Sequence, residues 1–137
     1  MNDYEFVSRK LVMYPDLNSH GRLFGGLLMS WIDEGLAQTA MRIMGTSNIV
    51  TKKFGEVVFT NPGRLGDSIE IWCRVTSEGR TSLSLECKVV ARCFERSVGT
   101  TRGSGSERDI CHSDVVYVAL DESGRPKPWQ PKRTNDQ

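Results

Sequence analysis

Helical periodicity occurs once in this chain. Between Leu23 and Met44, the residues Leu28, Trp31, Ile32, Leu36, Thr39, Ala40 and Ile43 recur at the i, i+3, i+4, i+7 spacing of one helix face. Gly45 stands just past the last of them and is the expected stop. The other patterned segments read as strands. Tyr4 to Met13 is one, and Ile49 to Thr60 is a second, closed by Asn61-Pro62-Gly63. Ile69, Ile71, Cys73 and Val75 alternate with polar or amphipathic neighbours, as do Leu83, Leu85, Cys87, Val89, Ala91 and Cys93. The short segment Ser77-Glu78-Gly79-Arg80 joins these two runs into an antiparallel hairpin. Val115 to Leu120 is a last strand, followed by a turn at Asp121-Glu122-Ser123-Gly124. One long helix among antiparallel strands predicts an α+β domain, in which a curved sheet of about five to six strands wraps the helix. Trp72, Val90 and Phe94 fall in the opposite phase from the core set. This predicts that part of the outer sheet face is also covered, by another subunit.

Composition narrows the function classes. The chain of 137 residues fits a single domain spanning 1–137. Residues 96–109, rich in Gly, Ser, Thr and Arg, predict a flexible loop, and 129–137 a flexible tail. Eighteen basic and 17 acidic residues leave a net charge of +1, which makes no electrostatic case for nucleic acid or an anionic membrane. No apolar run reaches the ~20 residues of a membrane span. The first residues, with Asp3 and Glu5 in an alternating pattern, do not read as a signal peptide, so the expected location is cytoplasmic. The four cysteines form no CxxC pair, and two histidines do not complete a zinc-finger pattern. Reduced core thiols and no metal site are expected.

The chemistry concentrates in Asn18 to Ala37. Asp33 lies at the border of the apolar helix stripe, with Gly26 two turns before it and Ala37 one turn after. A carboxylate there is costly unless paired or used. Position alone leaves two readings. In one, Asp33 is a general base or nucleophile in a partly desolvated groove; in the other, it is bonded to a backbone group or to an Arg across an interface. Glu34 points to the polar side. Gly25 and Gly26 open the helix, where unpaired N–H groups and the positive end of the dipole meet. Without side chains they admit a carbonyl oxygen, which is what an oxyanion hole requires; a tight turn or close packing is the alternative use. Asn18 either orients a water or carbonyl or closes an Asx-turn. Cys111-His112-Ser113-Asp114 does not converge, because neighbours on a strand face opposite ways.

Asn18, Gly21, Phe24-Gly25-Gly26, Ile32 and Asp33-Glu34 together resemble the signature of hotdog-fold acyl-CoA thioesterases, in the subgroup of YciA and brain acyl-CoA hydrolase. Further similarity follows in order along nearly the whole chain: Phe59-Thr-Asn-Pro62-Gly-Arg-Leu-Gly66-Asp67, then Gly79-Arg80-Thr81-Ser82, then Tyr117-Val-Ala-Leu-Asp121 with Gly124-Arg125-Pro126-Lys127-Pro128. The resemblance implies the hotdog fold and hydrolysis of acyl-CoA to a free acid and CoA without a cofactor. It also implies a homodimer with shared active sites, assembled as a trimer of dimers. On this reading Asp33 is the base or nucleophile, and Gly25 and Gly26 polarise the thioester carbonyl. Asn18 of the other subunit completes the site. Arg80, Arg125 and Lys127 are candidates for the CoA phosphates, and Thr81 and Ser82 for the pantetheine amides. His20 and Arg22 receive no role.

Two other readings compete. A hotdog module that binds acyl-CoA as a sensor needs neither Asp33 nor Asn18. A hotdog dehydratase or hydratase needs a helix carboxylate paired with a histidine, for which His20 is the candidate.

Overall fold

A computed structural model of the chain describes residues 3–94 and 106–130. Strand β1 (Glu5–Leu11) leads through a short 3-10 turn, Tyr14–Asp16, into helix α1 (Gly25–Met44). Five strands follow: β2 (Ile49–Phe54), β3 (Val58–Phe59), β4 (Ser68–Glu78), β5 (Ser82–Cys93) and β6 (Ser106–Ala119). The sheet order is β1-β4-β5-β6-β2, with β3 also on β6, and every pairing is antiparallel. The helix crosses one face of this sheet. Leu28, Ile32, Leu36 and Ala40, one turn apart, are buried against Ile69, Ile71, Leu83, Leu85, Val89, Val115 and Tyr117. Gly45 caps the helix in the left-handed region at φ 70°, and its N–H donates to the Met41 carbonyl at 2.9 Å. No helix among the described residues is long and apolar enough to cross a membrane.

Several boundaries differ from the sequence expectation. The run Ile49 to Thr60 is two strands, because residues 55–57 oppose only residues 113 and 114 of β6. The extra residue breaks the ladder. Gly55 sits at the break, where a Cβ would come 3.1 Å from the Asp114 carbonyl oxygen. β4 runs through Ser77 and Glu78, so the turn tightens around Gly79, whose N–H reaches the Ser82 carbonyl at 2.9 Å. β6 begins at Ser106 rather than Val115, and residues 106–109 are strand rather than loop. Their pairing runs backbone to backbone, with Asp109 opposite Val90 and Ser106 opposite Cys93, so side-chain polarity did not reveal it. Residues 96–105 of the expected loop and 131–137 of the expected tail lie outside the described residues. Trp129, expected in that tail, instead packs against the core.

Val90 is fully buried within its own chain. It lies opposite Glu70 of β4, outside the helix-facing core that Val89 and Ala91 join, so its outward phase holds and the sheet's other face is covered there by this chain itself. Its burial therefore needs no second subunit. Trp72 is half-buried, edge-on to Phe6 with ring centroids 5.3 Å apart, and Phe94 is exposed. Cys73, Cys87 and Cys111 are buried free thiols, and Cys93 is half-buried. Burial pushes Cys73 and Cys111 up to about 11, and Cys87 further in the same direction. They remain protonated and fill space.

Glu70 is the buried charge of the outer face, with 2 % of its side chain exposed. Arg9 of β1 and Arg92 of β5 close over it at 3.1 and 2.9 Å, and the Trp72 indole N–H donates at 3.4 Å. Burial raises its pKa, but the hydrogen bonds from Arg92, Arg9 and Trp72 outweigh burial and leave it below the ordinary value. A depressed carboxylate contributes stability above its unfolded pKa and loses that contribution as pH falls through the folded one. Glu70→Gln is therefore expected to cost about 1–2 kcal/mol at neutral pH, since both guanidiniums stay partly in water. The gap from wild type should close below about pH 4. Thermal melts across pH check this; an equal gap at every pH would contradict it.

Candidate active site

The start of α1 is open. Phe24 is the N-cap, in extended conformation, and supplies no side-chain cap. Its own N–H donates to the Asp16 carbonyl at 2.9 Å, and the first helical bond runs from the Leu28 N–H to the Phe24 carbonyl at 3.1 Å. That leaves the N–H groups of Gly25, Gly26 and Leu27 without a backbone partner among the described residues. They point out of the positive end of a 20-residue helix. Beside them lies a cavity of about 270 Å³, walled by Leu23, Gly25, Leu28, Phe59, Pro62 and Ile110. A Cβ on Gly25 would stand 3.5 Å from the Phe59 ring; on Gly26 it would come 2.8 Å from the Phe24 ring. Gly26 thus also has a packing reason, since the Phe24 side chain folds back across it.

Asn18 shapes the loop that feeds this helix. Its Oδ1 accepts the N–H groups of His20 at 2.9 Å and Arg22 at 3.2 Å, an Asx-turn. Gly21 follows at φ 73°, a left-handed conformation that glycine takes without strain. With Oδ1 engaged, the amide nitrogen is the end of Asn18 left for a ligand. The side chain is exposed.

Asp33 is half-buried on the flank of α1 that faces β2 and β6. Thr51 Oγ1 donates to its Oδ1 at 2.9 Å, and the Tyr117 hydroxyl donates to the same oxygen at 3.0 Å. Oδ2 makes no hydrogen bond among the described residues. Among the described residues of this chain, no Arg and no backbone N–H bonds the Asp33 carboxylate. Burial first, then the Asp33 charge and hydrogen bond, push the Tyr117 phenol far above its ordinary value, so it stays a donor. No histidine bonds Asp33: His20 is exposed in the Asn18 loop, and His112 is exposed on β6. Cys111 and Ser113 are buried while His112 and Asp114 are exposed, so those four neighbours do not converge.

Asp33 and the open helix start share one helix, eight residues from Gly25. At 1.5 Å per residue they stand about 12 Å apart along the axis. One reacting carbonyl cannot touch both within a single chain.

The remaining candidates gather at one end of the sheet. Leu83 pairs with Tyr117, and Tyr117 with Thr51, so the β4–β5 turn sits next to the Asp33 level. The segment after β6 folds back onto this turn. The Trp129 indole N–H donates to the Ser82 carbonyl at 3.0 Å, and its backbone N–H to the Arg80 carbonyl at 3.2 Å. Thr81 accepts the Ala119 N–H through its carbonyl at 2.9 Å. Arg125 follows a turn built on Asp121, whose Oδ1 accepts the Arg125 N–H at 3.0 Å. The backbone N–H of Lys127 donates to the Ala119 carbonyl at 2.8 Å. The side chains of Arg80, Arg125 and Lys127 are exposed at this end. Sequence reasoning missed Thr51 and Tyr117. The signal for Tyr117 was a phenol in the inward phase of β6, which needs a buried acceptor.

This arrangement has relatives. A thioesterase superfamily model matches residues 20–92. The acyl-CoA thioester hydrolase YciA of Salmonella typhimurium is 34% identical over 124 residues, covering 90% of this chain and 89% of that protein. A hexameric hotdog fold thioesterase of Campylobacter jejuni superposes with a TM-score of 0.78 at 29% identity, over 90% of this chain and 88% of that one. An acyl-CoA hydrolase from Staphylococcus aureus, solved with butyryl coenzyme A, coenzyme A and coenzyme A disulfide, superposes with a TM-score of 0.76 at 28% identity, over 92% of this chain and 71% of that one. By fold, by sequence along most of its length and by the family model, the chain belongs to the thioesterase superfamily, among the hotdog-fold acyl-CoA thioester hydrolases of the YciA kind.

Proposed function

We propose that the protein hydrolyses acyl-CoA thioesters to a free carboxylic acid and CoA, at sites shared between two copies of the chain. One observation carries this reading: a carboxylate anchored through a single oxygen lies on the same helix as an open N-terminus, but about 12 Å from it. A two-fold partner whose helix runs antiparallel brings the Asp33 of one chain opposite the helix start of the other. The relatives named as hexamers support assembly into a homo-oligomer, and a trimer of such dimers is the arrangement proposed here.

In this site the N–H groups of Gly25 and Gly26 bond the thioester carbonyl oxygen, and more strongly as it gains charge. Asp33 of the other chain takes a proton from water as the water oxygen attacks the carbonyl carbon, or attacks that carbon directly to form an anhydride that water then cleaves. The Asn18 amide orients the water or the carbonyl. Collapse of the tetrahedral intermediate breaks the C–S bond and expels CoA thiolate, a good leaving group, so this route calls on no metal or cofactor. Arg80, Arg125 and Lys127 meet the CoA phosphates, and Thr81 and Ser82 the pantetheine amides.

Release of free thiol from a panel of acyl-CoAs, short to long and aryl, tests the function. Turnover on some members is expected. Binding without turnover across the panel would replace hydrolysis with a sensor role.

A further inference from the structure

Tyr117 carries the largest side chain of those fully buried in the core. Its ring is held by apolar packing, and its hydroxyl emerges at Asp33: 3.0 Å from Oδ1 and 3.1 Å from the carbonyl oxygen of the same residue. Thr51 reaches Oδ1 from the other side at 2.9 Å. The two hydroxyls do not meet there independently. Thr51 and Tyr117 are directly opposite each other in the β2–β6 ladder, so one strand register delivers both donors to one oxygen. The register slips immediately afterwards, between Thr51 and Lys53.

We propose that Thr51 and Tyr117 form a positioning pair that clamps Asp33 through Oδ1 and presents Oδ2 to the reacting water or carbonyl. The inference rests on the catalytic reading of Asp33 above. An aspartate on a helix flank has several rotamers, and only a held one keeps its oxygen within reach of a bound substrate. Two donors on Oδ1 lock the rotation about Cβ–Cγ as well as the direction of the side chain. The phenol is the stiffer of the two, because its ring is immobilised in a packed core and cannot follow Asp33 if the helix shifts. A buried phenol also needs an acceptor for its own sake, and its single proton, shared between the Asp33 backbone carbonyl and Oδ1, would be satisfied by the carbonyl alone. The additional contact with Oδ1 is what a purely structural role does not require.

The test separates positioning from packing. Tyr117→Phe removes the hydroxyl and keeps the ring; Thr51→Val removes the other hydroxyl from an exposed strand position and keeps the shape. Each is measured for kcat, KM and melting temperature on the acyl-CoA that the wild type turns over best. Each is expected to lower kcat roughly 10–100-fold with KM little changed. Thr51→Ser, which returns the hydroxyl, is expected to recover most of the rate. Wild-type kcat in both Tyr117→Phe and Thr51→Val would overturn the proposal, whatever their melting temperatures. Asp33→Ala measured alongside keeps the two failures apart. If that variant turns over normally, the catalytic reading of Asp33 falls. If it is inactive while both hydroxyl variants run at full rate, only the positioning pair falls.

Discussion

Asp33→Ala is expected to lower turnover by about 10²–10⁴-fold, the range for loss of a positioned base or nucleophile. The fold should survive. Asp33 sits on the helix flank outside the buried row of Leu28, Ile32, Leu36 and Ala40, and alanine favours a helix more than aspartate does. Tyr117 loses Oδ1 but keeps the residue-33 backbone carbonyl at 3.1 Å, and Thr51 is exposed enough for water to replace the carboxylate. The expected stability change is therefore about 1 kcal/mol or less. Thiol release and thermal melting on the same preparation check both halves. A folded variant with wild-type turnover would remove Asp33 from the chemistry.

Mixing two inactive chains should restore activity. Asn18→Ala damages the helix-start half of the site: it removes the amide, and it also removes the acceptor for the His20 and Arg22 N–H groups that shape the approach to Gly25. Asp33→Ala damages the carboxylate half. In a two-fold dimer with shared sites, a mixed pair gathers both defects into one site and leaves the other intact. Random pairing of equal amounts then gives roughly a quarter of wild-type activity. Co-expression with two different tags, followed by purification through both, isolates the mixed species. In a trimer of dimers that species still contains like pairs beside mixed ones, so its specific activity should stay near the same quarter of wild type. No recovery in that species would place the whole site within one chain.

Much of the fold was legible in the residues themselves. The single helical period predicted α1 to within two residues at its start, and Gly45 marked its end. The alternating runs predicted the β4–β5 hairpin. The family resemblance drew attention to Asn18, Gly25, Gly26 and Asp33, and the structure places those residues where an open helix end and an anchored carboxylate are found. Three things were not legible. The first half of β6 is held by backbone pairing, which its polar side chains do not encode. The break between β2 and β3 depends on how many residues β6 offers opposite them. Val90 keeps its outward phase opposite Glu70 and is buried there within its own chain, a covering that the alternation does not encode.

The same division holds for the site. Helix formation, the cap and the Asx-turn depend on residues a few positions apart, so the sequence by itself determined that Asp33 would ride a helix opened by Gly25-Gly26 and fed by the Asn18 loop. The partners of Asp33 lie far away along the chain: Thr51 is 18 residues distant and Tyr117 is 84. They meet Asp33 only because β2 and β6 pair in one register and the helix packs across them at one height. A shift of one residue of β2 along β6 would turn Thr51 to the opposite face and leave Tyr117 alone at Asp33. Only the tertiary structure decided which oxygen of the carboxylate Thr51 and Tyr117 hold.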